Sequence, residues 1–271
     1  MSALVFGIVE STERGWTDPI TLAALTAAAL LQATLVLHEA RAPQPIMPLR
    51  LFRHRERSGA YATRLLYMGA MIGFFYFTTQ YLQDALGFTP LQAGLGFLPM
   101  TAVNFAVAMA IPRLTRRIPG PLLLLAGVIT TLTGMLWLSR LDPAGAYLET
   151  VALPMLLIGA GQGLAFAPMT SAGISGLSSE DAGAGSGLIN TAHQLGMALG
   201  LGVLVTISAS TGIINSPADV ADHVRTAITG SSALLGLALV VVLLVVVPVA
   251  RIHAGPQERD GVDVEDYLND N

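Results

Sequence analysis

This chain contains no cysteine and no lysine, and only 12% of its residues are charged. Each shortage removes a class of protein. Without cysteine there are no disulfides and no thiolate metal ligands. Without lysine a retinal protein of the usual kind is excluded, because its chromophore is held as a lysine Schiff base. The 14 fixed cations are all arginine. A soluble domain has roughly 25% charged residues; this chain has half that against 53% hydrophobic, too little polar surface to clothe a soluble molecule.

What the chain has instead is long apolar runs. Spans are predicted at 20–37, 60–82, 90–111, 120–139, 149–169, 185–208 and 230–250. Each reaches the roughly 17 to 25 residues that a helix needs to cross about 30 Å of hydrocarbon. Helices are the expected form, since lipid offers no partner to an open backbone. The loops are too short, and the apolar surface too continuous, for a soluble bundle of buried helices. The fold class is therefore an all-α polytopic membrane protein.

Both ends of the chain depart from this plan. Residues 2–9 are apolar but rise only about 12 Å as a helix, too little to span. No basic residue precedes them and no small-residue cleavage pattern follows, so a signal peptide does not fit. They read either as the outer end of a helix whose beginning is cut off or as a short interfacial anchor, followed by an outer loop at 10–18. At the other end, 255–271 carries six acidic residues against Arg259 and is expected to be a disordered, solvated tail.

Arginine positions set the orientation. Arg41, Arg50, Arg53, Arg55, Arg57, Arg113, Arg116, Arg117, Arg251 and Arg259 fall on one side, and Arg14, Arg140 and Arg225 on the other. By the positive-inside rule the first side, with the C-terminus, is cytoplasmic. Arg53, Arg55, Arg57, Arg113, Arg116 and Arg117 are the expected anchors there. Arg64 lies inside the start of the second span, where it either snorkels to the interface or bonds a neighbouring bundle.

Within the spans, glycines recur four residues apart: Gly69 with Gly73, Gly159 with Gly163, Gly183 with Gly187, and Gly196 with Gly200. Each pair lies on one helix face, and such faces let helix backbones approach closely in lipid. Pro99, Pro154, Pro168 and Pro248 lie within or near span ends. Gln80, Asn104, Gln162, Asn190 and Gln194 interrupt apolar helices, where amides bond across interfaces or line a path. The aromatic run Phe74 to Phe77 points all round its helix, so at least two rings face lipid or packing. All 18 acidic residues fall in loops, tails or span ends. His193 is the one titratable group well inside a predicted span, and it reads either as a packing residue or as a proton or substrate contact.

Catalytic patterns are weak. Gly173-Ile-Ser175-Gly176, with His193 as base, matches the short pattern of an intramembrane serine protease, but Ser175 falls in a tight loop. His38-Glu39 lacks the second zinc-binding histidine, since Ala42 stands in its place. The glycines at Gly159, Gly161 and Gly163 follow no strand, so they do not form a nucleotide loop. No enzyme activity, cofactor, metal site or nucleic-acid partner is expected.

A specific resemblance comes from three stretches. The first, 39–53, places Glu39, Arg41, Pro43, Pro45 and Pro48 ahead of Leu51-Phe52-Arg53; the second, 88–99, has Phe88, Pro90, Gly94, Gly96 and Pro99. The third combines Gly159, Gly161, Gln162, Gly163 and Pro168 with Gly185, Gly187, Asn190, His193, Gln194, Gly196 and Gly200. In this order they resemble the drug:proton antiporter-2 branch of the major facilitator superfamily, which has two six-helix bundles separated by two additional helices. The resemblance implies a truncated helix and outer loop at 1–19, a linker helix and arginine-rich cytoplasmic loop at 20–58, the C-terminal bundle at 59–250 and a tail at 251–271. The family's N-terminal bundle has no counterpart here, and 112–120 is at most a weaker echo of its basic gating loop. At the position of His193, relatives often have arginine.

The implied function is the C-terminal half of a proton-coupled multidrug efflux antiporter in a cell membrane. Its partners would be the lipid bilayer, an amphipathic or apolar small molecule, and an N-terminal bundle or a second copy. The principal coupling carboxylate would then lie in the N-terminal bundle. The alternative is a membrane protein that does not transport by itself, inert or acting as regulatory partner of a full-length transporter.

Overall fold

The computed structural model describes residues 2–15, 17–41, 48–142, 145–210, 212 and 216–248. The expected acidic tail, Arg251, Arg259, and Pro43 and Pro45 of the linker lie outside the described residues. Among the described residues the regular structure is entirely helical.

The chain opens with a hairpin. Helix α1 (Ser2–Arg14) is longer than the apolar stub predicted at 2–9, because the i,i+4 pair of Glu10 and Arg14, at 2.7 Å, carries the helix onward. Gly15 then turns with φ +87°, a conformation that L side chains rarely adopt. Helix α2 (Pro19–Glu39) starts where Asp18 accepts the Ile20 N–H and Pro19 supplies a preset first position. Gly7 of α1 sits directly against Leu25 and Ala24 of α2. Ile8 of α1 lies against Gly202, tying the hairpin to the rest of the molecule.

A 3₁₀ turn (Leu49–Arg53) leads into helix α3 (Arg55–Gln80), which continues as a wider π turn through Ala85. Helix α4 (Pro90–Gly96) begins with a reciprocal cap: Gln92 donates its N–H to the Thr89 hydroxyl, and the Gln92 side chain accepts the Thr89 N–H. The predicted single helix at 90–111 is broken at Phe97, from which helix α5 (Leu98–Leu114) departs. Pro99 at its second position has no N–H to continue the α4 ladder. Helix α6 (Gly120–Leu138) and helix α7 (Leu153–Ile174, with a π turn from Leu148) follow. Helix α8 (Ala182–Ala209) and helix α9 (Pro217–Val241, extended to Val246) complete the bundle.

Helix α9 begins far before the span predicted at 230. Ser216 caps it by accepting the Asp219 N–H at 3.2 Å, and the charges that interrupt hydropathy are satisfied locally. Arg225 donates to Asp222 and to the Leu141 carbonyl, each at 2.6 Å.

Among the described residues six helical stretches are long and apolar enough to cross a membrane: Pro19–Glu39, Pro90–Leu114, Gly120–Leu138, Leu148–Ile174, Ala182–Ala209 and Pro217–Val246. Helix α3, the second predicted span, is not among them. Its position explains this. It packs against α7, α8 and α9 and buries Tyr67, Phe74 and Phe77 together with Tyr81 just beyond it, so it tolerates arginine, tyrosine and threonine that a lipid-facing helix would not. Phe75 and Tyr76, between the buried rings, face outward.

The closest crossings are made at glycine. Gly69 of α3 meets Gly196 and Gly200 of α8 so tightly that a Cβ at Gly69 would stand 3.0 Å from the Gly196 carbonyl oxygen, and one at Gly200 would overlap the Gly69 backbone. Gly127 and Gly161 bring α6 and α7 together in the same way: a Cβ at Gly127 would lie 2.6 Å from the Ala165 nitrogen. Beside that crossing, Tyr67 and Thr131 share a buried hydrogen bond of 2.7 Å. Thr131 gives its own proton to the Gly127 carbonyl, which makes Tyr67 the donor.

Candidate functional site

Arg64 occupies the inner part of α3, about 13 Å along the helix axis from its start. It does not snorkel to an interface: the residue is only 5% exposed. The guanidinium carbon sits 3.8 Å from the centre of the Phe166 ring, well within cation–π range. One terminal nitrogen reaches the Thr170 hydroxyl at 3.5 Å, the outer limit of a hydrogen bond. The Arg64 Nε is buried without an acceptor. Phe166 also meets His193 edge-on, with ring centroids 6.3 Å apart. Helices α3, α7 and α8 thus contribute one side chain each to a cluster of cation, ring and imidazole.

The other predicted polar residues divide into three groups. Asn104 of α5 donates to Gln162 of α7 at 3.1 Å, so these two amides satisfy each other across an interface. Asn190 and Gln194 lie on the same helix as His193 and are exposed. Gln80 belongs elsewhere, near the far end of α3, where its buried Oε1 has no partner. There a shallow cleft of about 430 Å³ runs between Phe75, Tyr76, Thr79 and Gln83.

The glycine pairs are not equivalent. Gly73 faces Leu204 and Ser231, Gly159 faces the Met100 carbonyl, and Gly163 faces Asn104 and Val107. Gly183 and Gly187 differ from the other pairs: among the described residues no atom of another helix lies within 4 Å of a Cβ placed on either. With Asn190 and Gln194 they form an uncovered stripe on the N-terminal half of α8. The crossing at Gly127 and Gly161 escapes a search for glycines four apart, because its two members come from different helices.

Arginines at the expected cytoplasmic side also separate by role. Arg57, predicted as an anchor, is 7% exposed and donates to the Leu51 and Ser175 carbonyls, the latter at 3.0 Å. It is therefore turned into the protein, where it holds α3 to the end of α7. Arg50 forms two parallel bonds with Asp181, at 2.6 and 2.9 Å, and so joins the linker to the start of α8. This forked geometry is strong for an ion pair, and spacing along the sequence gives no sign of it. Arg53 and Arg55 remain exposed. Arg113, Arg116 and Arg117 are exposed around a cleft of about 590 Å³ between α5 and α6.

Among the described residues no hydrogen bond joins Ser175 to His193. Ser175 sits at the end of α7, whereas His193 lies well inside α8 and meets Phe166. Gly159 is in the middle of a helix rather than after a strand. Among the described residues no group of three histidines or carboxylates is placed to hold a metal.

Comparison with known proteins places these helices in a family. Residues 4–201 match the model of the Major Facilitator Superfamily. The cephamycin export protein of Amycolatopsis lactamdurans is 34% identical over 267 residues, covering 96% of this chain and 54% of the relative. The puromycin resistance protein of Streptomyces alboniger is 31% identical over 82% of this chain and 44% of its own length. A multidrug resistance protein of Mycobacterium tuberculosis is 32% identical over 78% and 39% respectively. The chain spans about half the length of the curated relatives it matches.

Proposed function

This chain belongs to the Major Facilitator Superfamily, and on that premise we propose that it is the C-terminal half of a multidrug efflux antiporter driven by protons. The observation that carries this reading is the similarity to export and resistance proteins across 78 to 96% of the chain. In this reading the protein is a transporter rather than an enzyme and belongs to the 14-helix drug:proton antiporter branch. The hairpin α1–α2 and the linker, 1–58, correspond to the additional helices, and 59–250 corresponds to the C-terminal bundle. The membrane is the cell membrane, with the C-terminus on the cytoplasmic side.

The uncovered stripe of Gly183, Gly187, Asn190 and Gln194 supports a further part of the reading. Alternating access rocks one bundle against another around a site near the bilayer midplane, and this stripe is where a second bundle would bear. An N-terminal bundle is the proposed partner, with a second copy of this chain as the alternative. His193, Asn190 and Gln194 then belong to the translocation path, and the Asn104–Gln162 pair stiffens its wall.

Vesicles loaded with ethidium test the proposal. One set carries this chain alone, and another carries it preceded by the N-terminal half of the 34%-identical relative. Dye movement on imposing a pH gradient is expected only in the second set. Movement in the first set would show that the chain transports unaided, and absence of movement in both would remove the support for export.

A further inference from the structure

We infer that Arg64 is the anchor of an anion-binding site, and that an aromatic or amphipathic carboxylate docks against it between α7 and α8. The argument begins with the cost of the charge. Arginine keeps its proton in proteins, and an ion removed from water costs several kcal/mol unless it is paired and hydrogen-bonded. Arg64 is 95% buried, by the 5% exposure of the residue. Among the described residues its compensation is a ring face at 3.8 Å and one marginal hydroxyl, while Nε has no acceptor.

Among the described residues no carboxylate supplies the rest. The ion pairs of the described residues join Arg14 to Glu10, Arg50 to Asp181 and Arg225 to Asp222; none involves Arg64. This is the reverse of Arg50 and Arg57, whose forks are filled by a carboxylate and by backbone carbonyls. Two arginines of the same region are satisfied, and the deepest one is not.

The surroundings fit an anion with an apolar body. Phe166 is 39% exposed, so part of it stays open to a flat ligand. Thr170 accepts from Arg64 and gives its own proton to the Phe166 carbonyl, so it orients the guanidinium and does not donate to the anion. On α8, the helix that carries His193, Asn190 and Gln194 are exposed and present amide groups. A carboxylate at this place would accept from the guanidinium with the charge-assisted strength of a forked pair, while its ring stays against Phe166. The proposal rests on the transporter reading for the idea of a solute but not for the site itself, which is a property of the three helices.

Binding is therefore measured without any gradient. The full chain in neutral detergent is dialysed to equilibrium against 2-naphthoate, and separately against 2-naphthamide, which has the same ring without the charge. Saturable binding of naphthoate is expected, at least tenfold tighter than that of the amide. Arg64→Gln should bring the two ligands to equal affinity, and Arg64→Lys, which keeps the charge but loses the fork, should fall between. Equal affinities in the unaltered chain would overturn the proposal, and that comparison holds even if a variant fails to fold. Persistence of the naphthoate preference in a folded Arg64→Gln would also overturn it. Neither failure touches the export reading, which stands or falls on dye movement in vesicles.

Discussion

Two glycine-to-alanine substitutions on the same helix should move stability in opposite directions. Gly196 and Gly187 both lie in α8, and both are predicted by spacing to face another helix. A methyl at Gly196 would be forced into the Leu65 carbonyl group of α3, within 2.9 Å of the Leu65 carbonyl carbon and Cα. These are backbone atoms, so no rotamer change relieves the clash and the helices must move apart. Overpacking of this kind costs about 1–3 kcal/mol. At Gly187 the methyl meets nothing within 4 Å, and the gain in helix propensity, about 0.8–1 kcal/mol, stands unopposed. That gain is common to both variants, so their difference isolates the crossing: about 1–3 kcal/mol, or roughly 5- to 150-fold in the unfolding equilibrium. Denaturant unfolding in detergent, followed by helical circular dichroism, measures it. Equal stability of Gly196→Ala and Gly187→Ala would refute the reasoning, since it would mean that α3 and α8 are not in backbone contact at this point.

Three further outcomes follow from individual bonds. Asp181→Asn should cost less than about 1 kcal/mol, because the Arg50 side chain is 64% exposed and solvent screens the pair; the loss should shrink as salt is raised, and a salt-independent loss in unfolding would contradict it. Tyr67→Phe removes the buried donor to Thr131, whose own proton remains bound to the Gly127 carbonyl. Its expected cost is about 1 kcal/mol, read from the same unfolding curve; a neutral result would mean that the hydroxyls do not meet. Asn104→Ala and Gln162→Ala should show a coupling of about 0.6 kcal/mol in a double-mutant cycle, the usual value for a polar pair between membrane helices. Strict additivity would show that the pair does not form.

Much of the architecture was legible before any coordinates, and the failures have separate causes. Hydropathy located α6 to α8 within about five residues because their outer faces answer to lipid. It missed the first turns of α9, where Asp219, Asp222 and Arg225 break the apolar run yet are satisfied at a helix start. It also counts α3 among the apolar spans, although among the described residues that helix is not one of those apolar enough to cross, and neighbours cover much of it. The site was less legible. Asn104 and Gln162 could be singled out as polar residues in apolar helices, but not as each other's partner. His193 was visible as a titratable group, whereas its place beside Phe166 was not. Position alone suggests a cytoplasmic anchor for Arg57 and leaves Arg64 either snorkelling or bonding a neighbouring bundle; both are buried.

The all-helical membrane fold, its apolar composition and the family it belongs to follow from the sequence alone. A span must match the thickness of hydrocarbon and satisfy its own backbone, and both constraints act along one dimension. What a given glycine or arginine does is decided in three dimensions, by side chains that arrive from other helices. Gly187 and Gly196 share a spacing and a helix, yet one faces open space and the other a carbonyl. Arg50 and Arg64 are both cations near one end of α3, yet only the first meets a carboxylate. Charge and shape acquire their meaning from the partner, and the tertiary fold alone chooses the partner.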